Sequence, residues 1–255
     1  MPLLLLYYVR ILKTWQKHAI IKVGKSFWRL LLMDPYYQQK MPSFISSLKK
    51  HVNEIKKTKD YGYDSLALAI LDAVFSLRAR YKCALNVVDK FSSTENSIER
   101  SKRSTPIEDL LKYEGKGESL ADFVENKQKI SGVLKADICI NLAKELERYG
   151  IKDKKSFNKY NEHALMTIIK NVKGIGDACV RYLFMLLGDN NKCKPDVHIR
   201  KCMNDVFGST PSDVDCQKIM EEAVKILQKD PNLCNLTVKR LDHFIWTLYS
   251  NGGHI

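Results

Sequence analysis

In VKGIGDACVRYLF, residues 172–184, two glycines one residue apart precede an amphipathic helix. On both sides of the glycines, apolar residues recur at the spacing of one helix face. They are Leu165, Ile168, Ile169 and Val172 before the glycines, and Val180, Leu183, Phe184 and Leu187 after them. This repeat predicts two short helices joined by a tight turn, a helix–hairpin–helix.

The turn itself has the composition of a phosphate-binding segment. Gly174 and Gly176 permit a tight turn without obstruction by a Cβ atom, and Ile175 can pack between the two helices. The free N–H groups around Gly176, Asp177 and Ala178 lie at the start of the second helix, where they can bind a phosphate oxygen. A helix-pair turn without any ligand is the alternative. The negative charge of Asp177 also opposes phosphate binding unless this residue serves as a cap.

The chain of 255 residues is strongly basic. Its 42 lysines and arginines outnumber 29 aspartates and glutamates, which gives a formal net charge of +13. This surplus favours a nucleic acid as partner, because each phosphate bound by Lys or Arg releases condensed counterions. A solvated basic surface that serves solubility is the alternative. With 45% hydrophobic residues, the chain can form one large or two small cores.

Seven cysteines are dispersed along the chain without a CxxC pair. They are Cys83, Cys139, Cys179, Cys193, Cys202, Cys216 and Cys234. An odd, scattered set is typical of reduced intracellular thiols. The apolar run Leu3–Val9 is too short to span a bilayer and lacks the basic leader and cleavage site of a signal peptide. We therefore expect a soluble intracellular protein, in the cytoplasm or nucleoid of a prokaryote or the nucleus of a eukaryote.

Helical periodicity dominates the chain, and no segment alternates convincingly as a strand, so the predicted fold class is all-α. The predicted helices are Ser43–Asp60, Ser65–Leu77, Lys82–Phe91, Ile107–Tyr113, Leu120–Gln128 and Leu134–Tyr149. Gly150 follows the last of these in the usual C-terminal position. The polar stretch Ser92–Pro106 is predicted as a loop. Residues 1–40 have no clean periodicity, and we assign them no function.

A second motif, DVHIR at residues 196–200, follows the hairpin by about twenty residues. A helix–hairpin–helix followed at this distance by Asp-X-His-hydrophobic-Arg resembles the base-excision DNA glycosylases of the endonuclease III (HhH-GPD) superfamily. The resemblance covers about Asp64–Phe207 in the order of elements, and LDHFIWTLYS, residues 241–250, is similar to the family's last helix. It implies a two-lobed helical protein with an active-site cleft between the lobes.

The implied organisation places the hairpin in one lobe and the aspartate motif in the other. Residues 64–188 would form a helical bundle that carries the hairpin. Residues 41–63 together with 189–255 would form the second lobe, which carries the catalytic aspartate loop. Residues 1–40 are a leader of uncertain structure.

The resemblance assigns roles to residues of the second motif. Asp196 matches the family's catalytic aspartate, which activates the nucleophile or stabilises the oxocarbenium-like sugar as the N-glycosidic bond breaks. The simpler interpretation is that Asp196 only caps the helix predicted over Val197–Phe207. His198 would orient the loop and Arg200 would contact backbone phosphate. Arg78 or Arg80 would fill the gap left by a flipped base. Arg78 and Arg200 suit a solvent-exposed surface equally well.

The departures from the family pattern concern the nucleophile. Bifunctional members carry a lysine at the second residue of the hairpin's second helix, where its amine attacks C1′ of the sugar. Here that position is Ala178, which predicts a monofunctional glycosylase that uses water. Lys173 is a conceivable substitute amine. The hairpin residues expected to contact DNA are Lys173, Gly174, Ile175, Gly176 and Ala178.

The resemblance also bears on cofactors. Many members hold an iron–sulfur cluster with four closely spaced cysteines after the aspartate, but only Cys202, Cys216 and Cys234 follow Asp196 here, so we expect no cluster. A structural Na⁺ or K⁺ is common in these hairpins. By resemblance, the main-chain carbonyls of Lys170, Val172 and Ile175 would hold it.

Together these observations predict a DNA base-excision repair glycosylase. It would flip a damaged, mismatched or modified base of double-stranded DNA and hydrolyse its N-glycosidic bond, as a monomer and without a membrane. The alternatives are a non-catalytic helix–hairpin–helix DNA-binding protein and a bifunctional glycosylase/AP lyase. The sequence does not identify the base, because pocket shape selects it.

Overall fold

The computed structural model describes residues 33–94, 96–114 and 119–255. Most of the leader predicted over residues 1–40 therefore lies outside the described residues. The described fold is all-α, as predicted. The chain divides into two compact units. Among the described residues, unit 1 comprises 33–56, 197–236 and 245–255, and unit 2 comprises 57–196 and 237–244.

Unit 1 contains helices from both ends of the chain. Its helices are α1 (Pro35–Lys49), α2 (Val52–Lys57), α12 (Val197–Phe207) and α13 (Asp213–Leu227), followed by a 3₁₀ turn at Pro231–Leu233. The buried face of α1 packs against α12 and α13, with the rings of Phe44 and Phe207 in an edge-on contact at 5.5 Å between centroids. The helix predicted over Val197–Phe207 has those bounds in the structure.

The prediction of one helix over Ser43–Asp60 is wrong at both ends. The helix α1 begins at Pro35, because the Asp34 side chain accepts a hydrogen bond from the Tyr36 N–H at 2.9 Å and Pro35 suits the first helical position. It ends at Lys49, because the N–H groups of Lys50 and His51 bond to carbonyls three residues earlier, which tightens and closes the last turn.

Unit 2 contains most of the remaining helices and a small hairpin of strands. Its elements are α3 (Leu66–Phe75), α4 (Tyr81–Ser92), α5 (Ser97–Lys102), α6 (Glu108–Leu111), α7 (Leu120–Phe123), β1 (Lys129–Ile130), β2 (Val133–Leu134), α8 (Lys135–Arg148), α9 (Lys154–Lys159), α10 (Glu162–Lys170) and α11 (Asp177–Leu186). The last helix, α14 (Val238–Ser250), begins in unit 2.

The helix α3 is the centre of unit 2. All ten of its residues are buried, and it packs against α4, α8 and α11. Its start is fixed by Ser65, whose hydroxyl accepts a hydrogen bond from the Leu68 N–H at 3.1 Å. A helix that is apolar on every side needs neighbours on every side, so α3 determines how the other helices of the unit are arranged.

The prediction of irregular structure over Ser92–Pro106 in unit 2 is wrong. The predicted loop Ser92–Pro106 contains the helix α5, because the Asn96 side chain accepts hydrogen bonds from two N–H groups of the first turn. The strands β1 and β2 pair antiparallel, because Ser131 and Gly132 both adopt positive φ and so close a two-residue turn.

The ends of two further predicted helices change. The helix predicted to reach Gln128 ends at Phe123, since Glu125 adopts a φ of 49° and interrupts the helix. The helix predicted over Leu134–Tyr149 ends at Arg148, and Gly150 adopts a φ of 73° just beyond it. In the part of the chain that the structure describes, no helix combines the length and the apolar character needed to cross a bilayer.

Candidate active site

The two helices predicted around the glycine pair are α10 and α11. Gly174 adopts a φ of 99° between them, a region that favours glycine, and a Cβ atom there would lie 2.6 Å from Cδ1 of Ile138. Ile175 is only 8% exposed and belongs to the core of unit 2, so the residue between the glycines packs inward. The turn is thus fixed by a close approach to α8.

The first turn of α11 presents uncapped N–H groups. Its N-cap is Gly176, and no side chain accepts a hydrogen bond from the first turn. Asp177 forms an ion pair with Lys170 at the end of α10. Because Lys170 compensates the charge of Asp177, that carboxylate opposes a bound anion less than its position alone would suggest. Ala178 is half-buried and Lys173 is exposed.

The segment that ends at Asp196 is held by a buried carboxylate of α14. The Lys194 N–H donates to Oδ1 of Asp242 at 2.9 Å, and the Asp196 N–H donates to the Lys194 carbonyl at 2.6 Å. Asp242 is 4% exposed. Burial raises its pKa well above the ordinary value, and the nearby Asp196 raises it further. Asp196 is half-buried and directly precedes α12.

A second buried carboxylate lies beneath this segment. Asp72, in the middle of α3, is fully buried and accepts hydrogen bonds from the hydroxyls of Tyr63 at 2.8 Å and Tyr182 at 3.3 Å. Burial raises the pKa of Asp72, while these hydrogen bonds and the charge of Lys194 lower it. Burial, and then the Asp72 carboxylate, raise the pKa of both tyrosines, so their hydroxyls remain protonated donors.

The Lys194 side chain joins three elements of unit 2. Its Nζ lies 3.6 Å from the ring centroid of Tyr182 on α11 and 3.3 Å from Oγ of Ser76 at the end of α3. The loop that ends at Asp196 therefore packs against the second helix of the hairpin. Arg78, two residues beyond Ser76, is exposed and has a φ of 50°.

Lys194, Asp72 and Asp242 were not among the residues predicted from the sequence. One signal was available, because Asp72 is the only charged residue in LALAILDAVF, residues 66–75. A carboxylate in a helix that is otherwise wholly apolar must find polar partners. Nothing local distinguishes Lys194 from the other lysines of this basic chain.

The remaining predicted site residues belong to unit 1. The ring of His198 meets that of Trp246 edge-on at 5.7 Å between centroids. Arg200 pairs with Asp213 and donates to the Pro211 carbonyl at 3.5 Å. A phosphate bound by Arg200 would therefore have to compete with a carboxylate that is already in place.

The predicted Na⁺ or K⁺ site and the expected absence of an iron–sulfur cluster both stay predictions. Of the three carbonyls expected to hold Na⁺ or K⁺, that of Val172 accepts the Ile175 N–H at 3.1 Å, and a carbonyl oxygen so engaged keeps a second lone pair. All seven cysteines are free thiols. Among the described residues, no three His, Cys, Asp or Glu side chains converge in a way that could hold a metal ion.

Comparison with known proteins bears mainly on the fold. A family model described as "Domain of unknown function (DUF8548)" matches residues 41–250. No curated protein matches the sequence. The chain is similar to the crystal structure of Clostridium acetobutylicum 8-oxoguanine glycosylase/lyase in complex with dsDNA containing cytosine opposite to 8-oxoG, with a TM-score of 0.51 and 11% identity over 87% of this chain and 72% of that one. At this identity the likeness extends to the fold alone.

Proposed function

We propose that this chain, a member of the DUF8548 family, is a DNA glycosylase of base-excision repair. It rotates a damaged, mismatched or modified base out of double-stranded DNA and cleaves the N-glycosidic bond. The observation that carries the proposal is the contact of the Asp196 segment with the hairpin, in which Lys194 Nζ lies 3.6 Å from the Tyr182 ring. We infer from this contact that Asp196, two residues further along the chain, acts on DNA that is bound by the helix pair.

The hairpin binds the phosphates of the DNA backbone. Gly176 leaves the first-turn N–H groups of α11 without a side-chain cap, and the exposed Lys173 precedes the turn. A phosphate oxygen would accept hydrogen bonds from those N–H groups, and the helix dipole would favour the negative charge of the phosphate. The net charge of +13 adds long-range attraction. By resemblance, a K⁺ or Na⁺ on the carbonyls of Lys170, Val172 and Ile175 would steady the turn; no other cofactor is proposed.

Asp196 supplies the chemistry of base departure. As the N-glycosidic bond breaks, positive charge develops on the sugar, and a fixed carboxylate stabilises it. The segment of Asp196 is fixed through Lys194, whose N–H is bound by the buried Asp242. Arg78, exposed at the end of α3, is available to occupy the space that the base vacates. His198 orients the segment from α12, and Arg200 contacts phosphate after exchange of its partner Asp213.

The nucleophile does not come from the usual position of the family, since Ala178 has no amine. The sequence therefore predicts a monofunctional enzyme in which water attacks C1′. A glycosylase/lyase is the second candidate, and the placement of the Lys194 amine on the hairpin helix favours it. The structurally similar protein is itself described as a glycosylase/lyase, which by analogy of fold points in the same direction.

A non-catalytic DNA-binding protein is the rival from a different class. A panel of duplexes separates the two, each with one oxidised, alkylated, deaminated or mismatched base, scored for free base. The panel includes 8-oxoguanine opposite cytosine, the lesion named for the similar structure. The proposal requires base release from at least one duplex. We also propose that the protein acts as a monomer inside the cell, where its DNA substrate lies.

A further inference from the structure

We infer that Lys194 supplies the amine that attacks C1′ of the sugar, which makes this protein a glycosylase/lyase whose nucleophile comes from the aspartate segment. The inference rests on the proposed glycosylase function and assigns the nucleophile that Ala178 lacks. It replaces the water predicted from the sequence with an amine two residues from Asp196.

The amine of Lys194 lies against one face of α11. Ala178 and Tyr182 are four residues apart, so they lie on one face of this helix. The Lys194 Nζ, at 3.6 Å from the Tyr182 ring centroid, therefore lies on the helix face where an amine at position 178 would begin. The aspartate segment delivers to this face the functional group that α11 does not carry.

Lys194 is held in place both at its backbone and at its side-chain amine. The backbone of Lys194 is fixed by the bond of its N–H to Asp242 at 2.9 Å, and the Nζ by Ser76 Oγ at 3.3 Å. The ring beneath it is fixed in turn, because the Tyr182 hydroxyl bonds to Asp72 at 3.3 Å. A nucleophile with this little freedom avoids much of the entropic cost of a reactive geometry.

The amine of Lys194 differs in its bonding partners from the amines of two other lysines of unit 2. The amine of Lys135 is bound to the Phe75 carbonyl at 2.9 Å and to Gln128 at 2.7 Å. The amine of Lys239 is bound to the Tyr61 carbonyl and to Asp60, both at 2.7 Å. Both are buried and serve the fold. Lys194 is half-buried, and its amine donates to the hydroxyl of Ser76 at 3.3 Å, so its hydrogen-bond partner is neither a carbonyl nor a carboxylate.

The chemical step balances with the groups present. The amine passes one proton to the Asp196 carboxylate, and its lone pair forms the N–C1′ bond as the C1′–base bond breaks. The base leaves with that electron pair and takes the proton from Asp196. A proton then moves from nitrogen to O4′ as the ring opens, which leaves a protonated imine. Asp196, ionised again, then takes a C2′ proton. The electrons of that C–H bond form the C2′–C3′ double bond as the C3′–O bond breaks and the phosphate leaves with its electron pair. Water finally adds to C1′ and hydrolyses the imine to an aldehyde and the free amine.

The test combines two readouts on a duplex from which the wild-type protein releases a base. Free base measures glycosylase activity, and a covalent adduct formed with borohydride measures the imine. The variant Lys194→Arg keeps the positive charge over Tyr182 but cannot form an imine. We expect trapping to fall at least about 100-fold, as for loss of a covalent nucleophile, while the melting temperature stays close to that of the wild type. Lys159→Arg, an exposed change at the end of α9, is the control and should trap normally.

The inference can also be tested on the wild-type protein, where the result does not depend on whether a variant folds. Proteolysis and mass spectrometry of the trapped adduct should place the modification on the peptide that contains Lys194. Base release without any adduct would overturn the inference and leave the glycosylase proposal standing, as would an adduct on Lys173 or undiminished trapping by Lys194→Arg. Absence of base release from every duplex would overturn the glycosylase proposal, and the inference with it.

Discussion

The amine of Lys194 lies 3.6 Å from the ring centroid of Tyr182, although the two residues belong to separate segments of the chain. Lys194 is two residues before Asp196, and Tyr182 is on the second helix of the hairpin. A cation over an aromatic face is attractive, so this contact helps to hold the aspartate segment against the hairpin. The aspartate segment and the second helix of the hairpin are therefore in contact within unit 2.

Replacement of the first glycine of the turn should destabilise the fold. Gly174→Ala places a Cβ at a φ of 99° and 2.6 Å from Ile138 Cδ1. We expect a loss of about 1–2 kcal/mol in the free energy of unfolding, since L residues disfavour this conformation. Urea denaturation measures it. An unchanged denaturation midpoint would mean that the turn does not require glycine.

The second glycine should matter for DNA instead. Gly176 has a φ outside the left-handed region, and an added Cβ would meet nothing within 4 Å. Gly176→Ala should therefore cost only about 1 kcal/mol of stability, because alanine is a poorer N-cap residue than glycine but meets no steric clash here. Its methyl group would stand where a phosphate approaches, so affinity for duplex DNA should fall several-fold. Equal affinities of variant and wild type would argue against the hairpin as the DNA contact.

The salt dependence of binding should report the contribution of Lys173. Log K for duplex DNA should fall linearly with log salt concentration, by about 0.9 for each phosphate contacted. Lys173→Ala should make this slope shallower by about one. The matched change Lys159→Ala, on an exposed residue of α9, should leave it unchanged. Fluorescence anisotropy titrations over a range of salt measure both. A flat slope in the wild type would contradict DNA binding altogether.

Asp242 should make stability depend on pH in an unusual direction. Burial raises the pKa of this carboxyl in the folded protein above its value in the unfolded chain. Its contribution to stability is therefore fully present below the unfolded pKa and is lost as pH rises through the folded pKa. Asp242→Asn keeps an acceptor for the Lys194 N–H and removes the titration.

We therefore expect the stability of Asp242→Asn relative to wild type to increase as pH rises from about 4 towards 8. Urea denaturation at several pH values measures this difference. A difference that shrinks or reverses as pH rises would show that the folded protein favours the ionised carboxylate. The change Asp137→Asn, on an exposed residue at the start of α8, should leave the pH dependence unaltered.

The sequence predicted those elements whose structure depends on residues close together in the chain. The periodicity around the glycine pair predicted α10 and α11, and the cap-like position of Asp196 predicted the start of α12. Short elements were missed where a single side chain decides the structure, as with Asn96 at the start of α5. Propensity summed over a window does not detect such a cap.

The supporting part of the site depends on contacts between distant segments. Ser76 and Lys194 are 118 residues apart, and Asp72 and Tyr182 are 110 apart. No helical or strand period relates such positions, because only the packing of α3 against α11 and of the aspartate segment against both brings them together. The burial of Asp72 also depends on every helix around α3 being present.

The variant Asp196→Asn tests whether Asp196 performs chemistry on DNA, as we propose. Single-turnover release of free base is measured on the best duplex of the panel, together with affinity for the same DNA. The account predicts that base release falls at least about 100-fold, as for loss of a group that stabilises transition-state charge, while affinity changes little. Base release at the wild-type rate by Asp196→Asn would contradict it.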